Sequence, residues 1–164
     1  MSSATRAWEL LEAVPDPEIP VVSIRELGIL REINDTAGGV EVVITPTYSG
    51  CPAMDQIEDD VRAALAAGDI AATVVTRLAP AWTTDWITAE ARAKLREFGI
   101  APPGESAAGN VVRFSRRDAI AEAVPCPHCG SKDTTETSHF SSTSCKALYK
   151  CLACLEPFDY FKPY

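Results

Sequence analysis

Apolar residues recur at helical spacing in three stretches of the chain and crowd at strand-like density in several others. Residues 4–14 read as a short helix with Ala4, Trp8 and Leu11 inward. Residues 27–33 and 40–45 are apolar and β-branched, and the polar stretch Asn34-Asp35-Thr36-Ala37-Gly38-Gly39 joins them as a hairpin. Farther on, Met54, Ile57, Val61, Ala64 and Leu65 share one helical face while Asp55, Glu58, Asp59 and Arg62 take the other, so this helix docks on a core. Residues 71–78 supply a third strand. Residues 84–98 supply another helix, with Ile87, Ala91, Leu95 and Phe98 on one stripe and Gly99 as its stop, and residues 111–114 add an edge strand. This order predicts a compact α+β domain, a small mixed sheet covered by helices.

Two stretches interrupt the pattern. Pro15-Asp16-Pro17-Glu18-Ile19-Pro20 holds three prolines in six residues, which forbids regular hydrogen bonding and predicts an extended loop presenting Asp16 and Glu18. Presented carboxylates are usually only solvated, and Asp16 reads equally as a cap for the residues after it. Residues 102–110, rich in Pro, Gly, Ser and Ala, form a loop or the edge of a linker.

The tail carries the most specific signal. Cys126-Pro127-His128-Cys129 and Cys151-Leu152-Ala153-Cys154 are two Cys-x-x-Cys knuckles with 21 residues between them. That spacing lets both thiolates of a knuckle reach one ion, and two knuckles complete a tetrahedral sulfur site for zinc, here a structural one. Strands near 134–140 and 147–150 would form the hairpin of a zinc ribbon, too short to fold without its metal. Cys145 is left over as a packed thiol, and His128 and His139 as solvated or hydrogen-bonded side chains, because four cysteines already satisfy one zinc ion. Residues 156–161 alternate aromatic and polar positions, either covering the ribbon or offering a contact surface. The expected domains are residues 1–115, the α+β domain, and residues 116–164, the C-terminal zinc ribbon.

Composition narrows the choices. With 164 residues and 46% hydrophobic content the chain has ample material for a core. The formal charge is -8, and residues 1–120 hold most of it, with 11 basic against 18 acidic side chains. No basic patch offers itself to phosphates, so no nucleic-acid partner is expected. No stretch approaches the roughly 18 uninterrupted apolar residues of a membrane span, and the opening residues carry no apolar run behind a basic one. These features predict a cytoplasmic protein with no membrane partner. In that compartment thiols stay reduced, so six cysteines call for metal or reactivity before disulfides.

Cys51 is the lone cysteine of the first 125 residues. Pro52 suits the first helical position and biases the residue before it away from helical angles, which makes Cys51 the expected N-cap. A thiol there feels unpaired amides and the positive end of the helix dipole, both favouring thiolate. Gly50 lets something approach closely. The alternative, of equal weight on spacing alone, is a small apolar residue filling a strand-to-helix corner.

Two stretches, DPEIPVVSIRELGIL and TPTYSGCPAMDQIEDDV, resemble the domain of iron-sulfur cluster assembly factors (SufT-like), with its Asp-Pro-Glu loop at Asp16 to Glu18 and its Thr-x-Thr-x-x-Gly-Cys-Pro turn at Thr45 to Pro52. The stretch APAWTTDWITAEARAKLREFGIAPP, with CPHCGS and CKALYKCLACLEPFDYFK, resembles one branch, the PaaD (or PaaJ) family of components of bacterial phenylacetyl-CoA epoxidase complexes. Ser141-Ser142-Thr143 departs from that pattern, which has a glycine first, and so bears on a turn. The resemblance implies an accessory subunit in phenylacetate degradation, with no catalytic residue. It would help iron or an iron-sulfur cluster reach the oxygenase or reductase subunits, holding this cargo transiently on Cys51 with Asp16 or Glu18 assisting. Two other readings remain: a docking subunit without metal transfer, and a thiol-dependent enzyme acting through Cys51. The latter lacks an adjacent base in the sequence.

Overall fold

The computed structural model describes residues 2–104 and 123–164. The strand expected at 111–114 and the domain boundary expected at 115/116 lie outside the described residues. The chain forms two compact units, Met1–Ala91 with Tyr164, and Arg92–Pro163.

In the first unit, helix α1 spans Ser3–Leu11. Ser2 caps it, its hydroxyl oxygen accepting the Thr5 amide at 3.2 Å. Ala7 and Leu11, one turn apart, are the buried pair. Trp8, expected inward, is half-buried instead, with the Arg25 guanidinium 5.3 Å above its ring. An indole offers both an apolar body and a face for a cation, so the flank of the buried row suits it.

Strands β1 (Leu30–Thr36) and β2 (Gly39–Ile44) pair antiparallel, Thr36 opposite Gly39. The turn between them is only Ala37-Gly38, shorter than the expected six-residue loop, because Asn34, Asp35 and Thr36 continue the ladder. Helix α2 (Ala53–Ala67) then crosses over to β3 (Ala72–Thr76), which pairs parallel with β2. A parallel neighbour requires such a crossover, and α2 supplies it. The resulting order β1-β2-β3 is a small mixed sheet. Val40, Val42, Val43 and Ile44 of its central strand are buried, as are Ala53, Met54, Ile57, Val61 and Leu65 of α2.

The helix expected over 84–98 is divided. A single 3-10 turn, Thr84–Trp86, is followed by extended Ile87, and helix α3 runs only over Ala89–Glu97. Two side chains cause the break: the Thr83 hydroxyl accepts the Asp85 amide and the Thr88 hydroxyl accepts the Ala91 amide, so each opens its own turn. Trp86 is fixed between these turns, with Arg31 stacked 3.4 Å from its ring centre. Ile87, Ala91 and Leu95 are buried as expected, whereas Phe98, beyond the helix end, is 55% exposed.

The second unit is a four-stranded sheet in the order β4-β7-β6-β5. Its strands are β4 (Ile100–Ala101), β5 (Thr134–Ser138), β6 (Lys146–Cys151) and β7 (Pro157–Phe161). β5 and β6 form the hairpin expected of a ribbon. The turn between them closes without a glycine, Ser141 donating to the Lys146 carbonyl at 2.9 Å and Lys146 to that of Thr143 at 3.2 Å. The alternating stretch 156–161 is an inner strand, with Phe158 and Phe161 buried. Ala101, Val124, Cys126, Cys151 and Phe158 make the small core beneath it.

Candidate metal centre and the Cys51 turn

Four thiols come together at one end of the second unit. The sulfurs of Cys126, Cys129, Cys151 and Cys154 all lie within 4.8 Å of one another, with Cys126 to Cys154 at 3.8 Å and Cys129 to Cys151 at 3.6 Å. A tetrahedron with zinc–sulfur bonds of about 2.3 Å has edges of roughly 3.8 Å, so the donor set fits a closed four-thiolate zinc site. Both knuckles are built alike. Cys126 and Cys151 are buried, and their amides donate to the carbonyls of Ser131 (2.9 Å) and Glu156 (3.0 Å). Each knuckle ends on a left-handed residue, Gly130 at φ 76° and Leu155 at φ 68°.

Hydrogen bonds within the cluster set the thiols of Cys151 and Cys154 apart in acidity. The Cys154 amide, with that of Ala153 and the thiols of Cys129 and Cys154, lowers Cys151 to about 7. Cys154 keeps the downward pull of the Glu156 amide, yet burial and the thiols of Cys151, Cys129 and Cys126 push it up to about 12. Cys151 ionises readily and Cys154 resists, a conflict that a divalent cation at the centre would remove.

Cys145 is buried away from this set, its sulfur 3.0 Å from the Thr143 hydroxyl. His139 lies 3.5 Å from Glu136 and edge-on to Phe140, and His128 is exposed.

The Cys51 turn is in the first unit. Thr45 at the end of β2 is buried, its amide bonded to the Ile29 carbonyl at 2.8 Å, and the chain then turns through Gly50 at φ 83°. That left-handed angle, and not space, selects glycine, since a Cβ there would meet nothing within 4 Å. The N-cap of α2 is Pro52 and not Cys51, and it makes no side-chain cap bond. The Cys51 carbonyl accepts the Met54 amide at 3.3 Å. Its half-buried thiol is raised, not lowered as a helix-start position predicts. Burial raises it most, the Ala53 amide lowers it, the Glu18 carboxylate raises it, the Tyr48 hydroxyl lowers it, and the Asp16 carboxylate raises it again.

The proline loop that carries those carboxylates is folded, not extended. Asp16 is 5% exposed; its Oδ1 accepts the amides of Glu18 (2.9 Å) and Ile19 (2.8 Å), and its amide donates to the Val22 carbonyl at 2.9 Å. Asp16 therefore follows the capping alternative, while Glu18 is half-buried. Asp16 and Glu18 share the surroundings of Cys51. Tyr48, which sequence reasoning passed over, joins them, and the signal for it was its place three residues before the cysteine, where its carbonyl accepts the Cys51 amide at 3.3 Å.

Fold and sites together define a class: an iron-sulfur-assembly-type α+β domain followed by a four-cysteine ribbon. Residues 5–76 match the family model described as an iron-sulfur cluster assembly protein, and residues 113–162 match the PaaD zinc beta ribbon domain. The chain belongs to the PaaD family of phenylacetyl-CoA epoxidase components: it is 48% identical over 156 residues to the D subunit of the putative 1,2-phenylacetyl-CoA epoxidase of Escherichia coli (strain K12), covering 94% of this chain and 90% of that one. An Fe-S protein maturation auxiliary factor of Porphyromonas gingivalis (strain ATCC BAA-308 / W83) is 35% identical over 89 residues, 52% of this chain and 84% of that one. The crystal structure of a domain of unknown function, DUF59, from Bacillus anthracis superimposes with a TM-score of 0.52 at 28% identity, covering 57% of this chain and 91% of that one. Among the described residues no helix is long and apolar enough to cross a membrane.

Proposed function

We propose that this protein is a non-catalytic maturation subunit of a phenylacetyl-CoA epoxidase complex, carrying iron or an iron-sulfur cluster to the oxygenase or reductase subunits. The observation that carries the reading is the convergence of Glu18 and Asp16 on the Cys51 thiol. Carboxylates that oppose a bare thiolate attract a cation, and the cation in turn favours the thiolate, so cargo and ligand form together. One thiolate with one or two weak oxygen donors holds iron loosely enough to pass it on. The Porphyromonas gingivalis maturation factor, aligned over about half of the chain, supports the same assignment. A thiol enzyme fits these surroundings less well, since among the described residues no histidine or lysine is named among the groups that shift Cys51.

In the second unit, Cys126, Cys129, Cys151 and Cys154 would hold zinc. The ion would supply structural cohesion to a sheet whose own apolar core is small. The test is co-expression with the epoxidase subunits. Cys51→Ser is expected to assemble with the complex yet leave its metal centres unfilled, whereas wild-type activity and metal content with Cys51→Ser would reject the assignment.

A further inference from the structure

The outer strands of a sheet carry a row of backbone N–H and C=O groups open to another strand, and three of the four outer strands among the described residues have features that discourage one. β1 is bulged between Leu30 and Glu32 and carries Arg31, Glu32 and Asp35; β4 is two residues long; β5 is irregular between Glu136 and Ser138. β3 has none of these protections. Its pairing with β2 is regular, its sequence Ala-Thr-Val-Val-Thr holds no charge, proline or glycine, and Thr73, Val75 and Thr76 are exposed.

Two bonds at its ends fix which way the backbone groups of β3 point. The Ala71 carbonyl accepts the Val40 amide at 2.9 Å and the Arg77 amide donates to the Ile44 carbonyl at 2.8 Å, so residues 71, 73, 75 and 77 turn these groups toward β2. Successive residues alternate, which directs those of Ala72, Val74 and Thr76 outward. That outward set is symmetric about Val74. Laid antiparallel against itself, it pairs Val74 with Val74 and Ala72 with Thr76 through hydrogen bonds, and it sets Thr73 opposite Val75 on the other face, so β-branched side chains meet and no like charges oppose. Beside the strand, Glu58 of α2 accepts the Thr76 hydroxyl at 3.1 Å and pairs with Arg62 at 2.7 Å, so this flank carries both signs although the chain's formal charge is -8.

We propose that β3 pairs antiparallel with β3 of a second copy of this chain, about a two-fold axis at Val74, joining the two small sheets into one. The proposal stands apart from the maturation reading, since Cys51 takes no part in it. Its test uses the full zinc-loaded chain, followed by sedimentation across a range of concentrations and by amide hydrogen exchange at both ends of that range. A reversible monomer–dimer equilibrium is expected. The amides of Ala72, Val74 and Thr76 should exchange about tenfold more slowly in the concentrated sample, whereas those of Thr73 and Val75, directed at β2, should exchange alike in both. Thr73→Lys combined with Val75→Lys, both at exposed positions, sets like charges opposite one another across the pair and should weaken the dimer about tenfold, with the urea midpoint of the dilute protein unchanged. A chain that stays monomeric, a dimer in which the Ala72, Val74 and Thr76 amides remain fast, or a dimer indifferent to the double substitution would overturn the proposal. So would protection of those amides only when an epoxidase subunit is added, which would make β3 the dock for a partner's strand.

Discussion

Asp16 closes its own loop, and through Glu18 that loop reaches Cys51. Replacing Asp16 by Ala leaves the Glu18 and Ile19 amides without their acceptor, so the first unit is expected to lose about 1–2 kcal/mol in urea unfolding, with Asp16→Asn losing less. Equal stability of Asp16→Ala and wild type would show that the two bonds contribute nothing. Glu18 allows a cleaner test of electrostatics. Its carboxylate raises the Cys51 thiol, so Glu18→Gln should lower it, enlarge the thiolate fraction below the folded pKa and speed iodoacetamide labelling of Cys51 at neutral pH. A slower or unchanged rate would remove Glu18 from the site. These residues were legible as a group, since the Asp-Pro-Glu loop and the Gly-Cys-Pro turn stand out in the chain. The sign of the thiol shift was not, because burial and carboxylates from a loop more than thirty residues earlier outweigh the amides that a helix start supplies.

Among the elements, α2 has the simplest physics: its apolar spacing is regular and its inner face is buried. Leu65 is fully buried there, and Leu65→Ala is expected to cost about 2–5 kcal/mol, read from the shift in denaturation midpoint. The segment over 84–98 has an equally regular stripe, yet it breaks where Thr83 and Thr88 cap separate turns. Capping threonines inside a periodic stretch carry the correction that periodicity alone misses. In the ribbon, β5 and β6 follow from the sequence, but β4 pairing with β7 does not, because a two-residue strand has no pattern of its own. Zinc would hold these elements through thiolates that begin partly protonated, with Cys154 raised to about 12. Binding must therefore release protons, and apparent zinc affinity should rise with pH across the neutral range. Affinity independent of pH would mean the thiols are already ionised.

At the scale of the molecule, the two Cys-x-x-Cys knuckles and the loop-plus-turn pair fall within the two stretches that match family models. Each module should fail separately: chelating zinc is expected to melt the β4–β7 sheet and leave the first unit folded, giving two transitions by circular dichroism. Above all, the proposed division of labour requires Cys51 and the four ribbon cysteines to serve different metals. Metal analysis of wild type, Cys51→Ser and Cys126→Ser, loaded with iron and purified without oxygen, tests this most directly. Zinc in wild type and Cys51→Ser, with iron held by wild type and lost from Cys51→Ser, is the predicted result; Cys51→Ser that keeps its iron, or loses zinc, would contradict it.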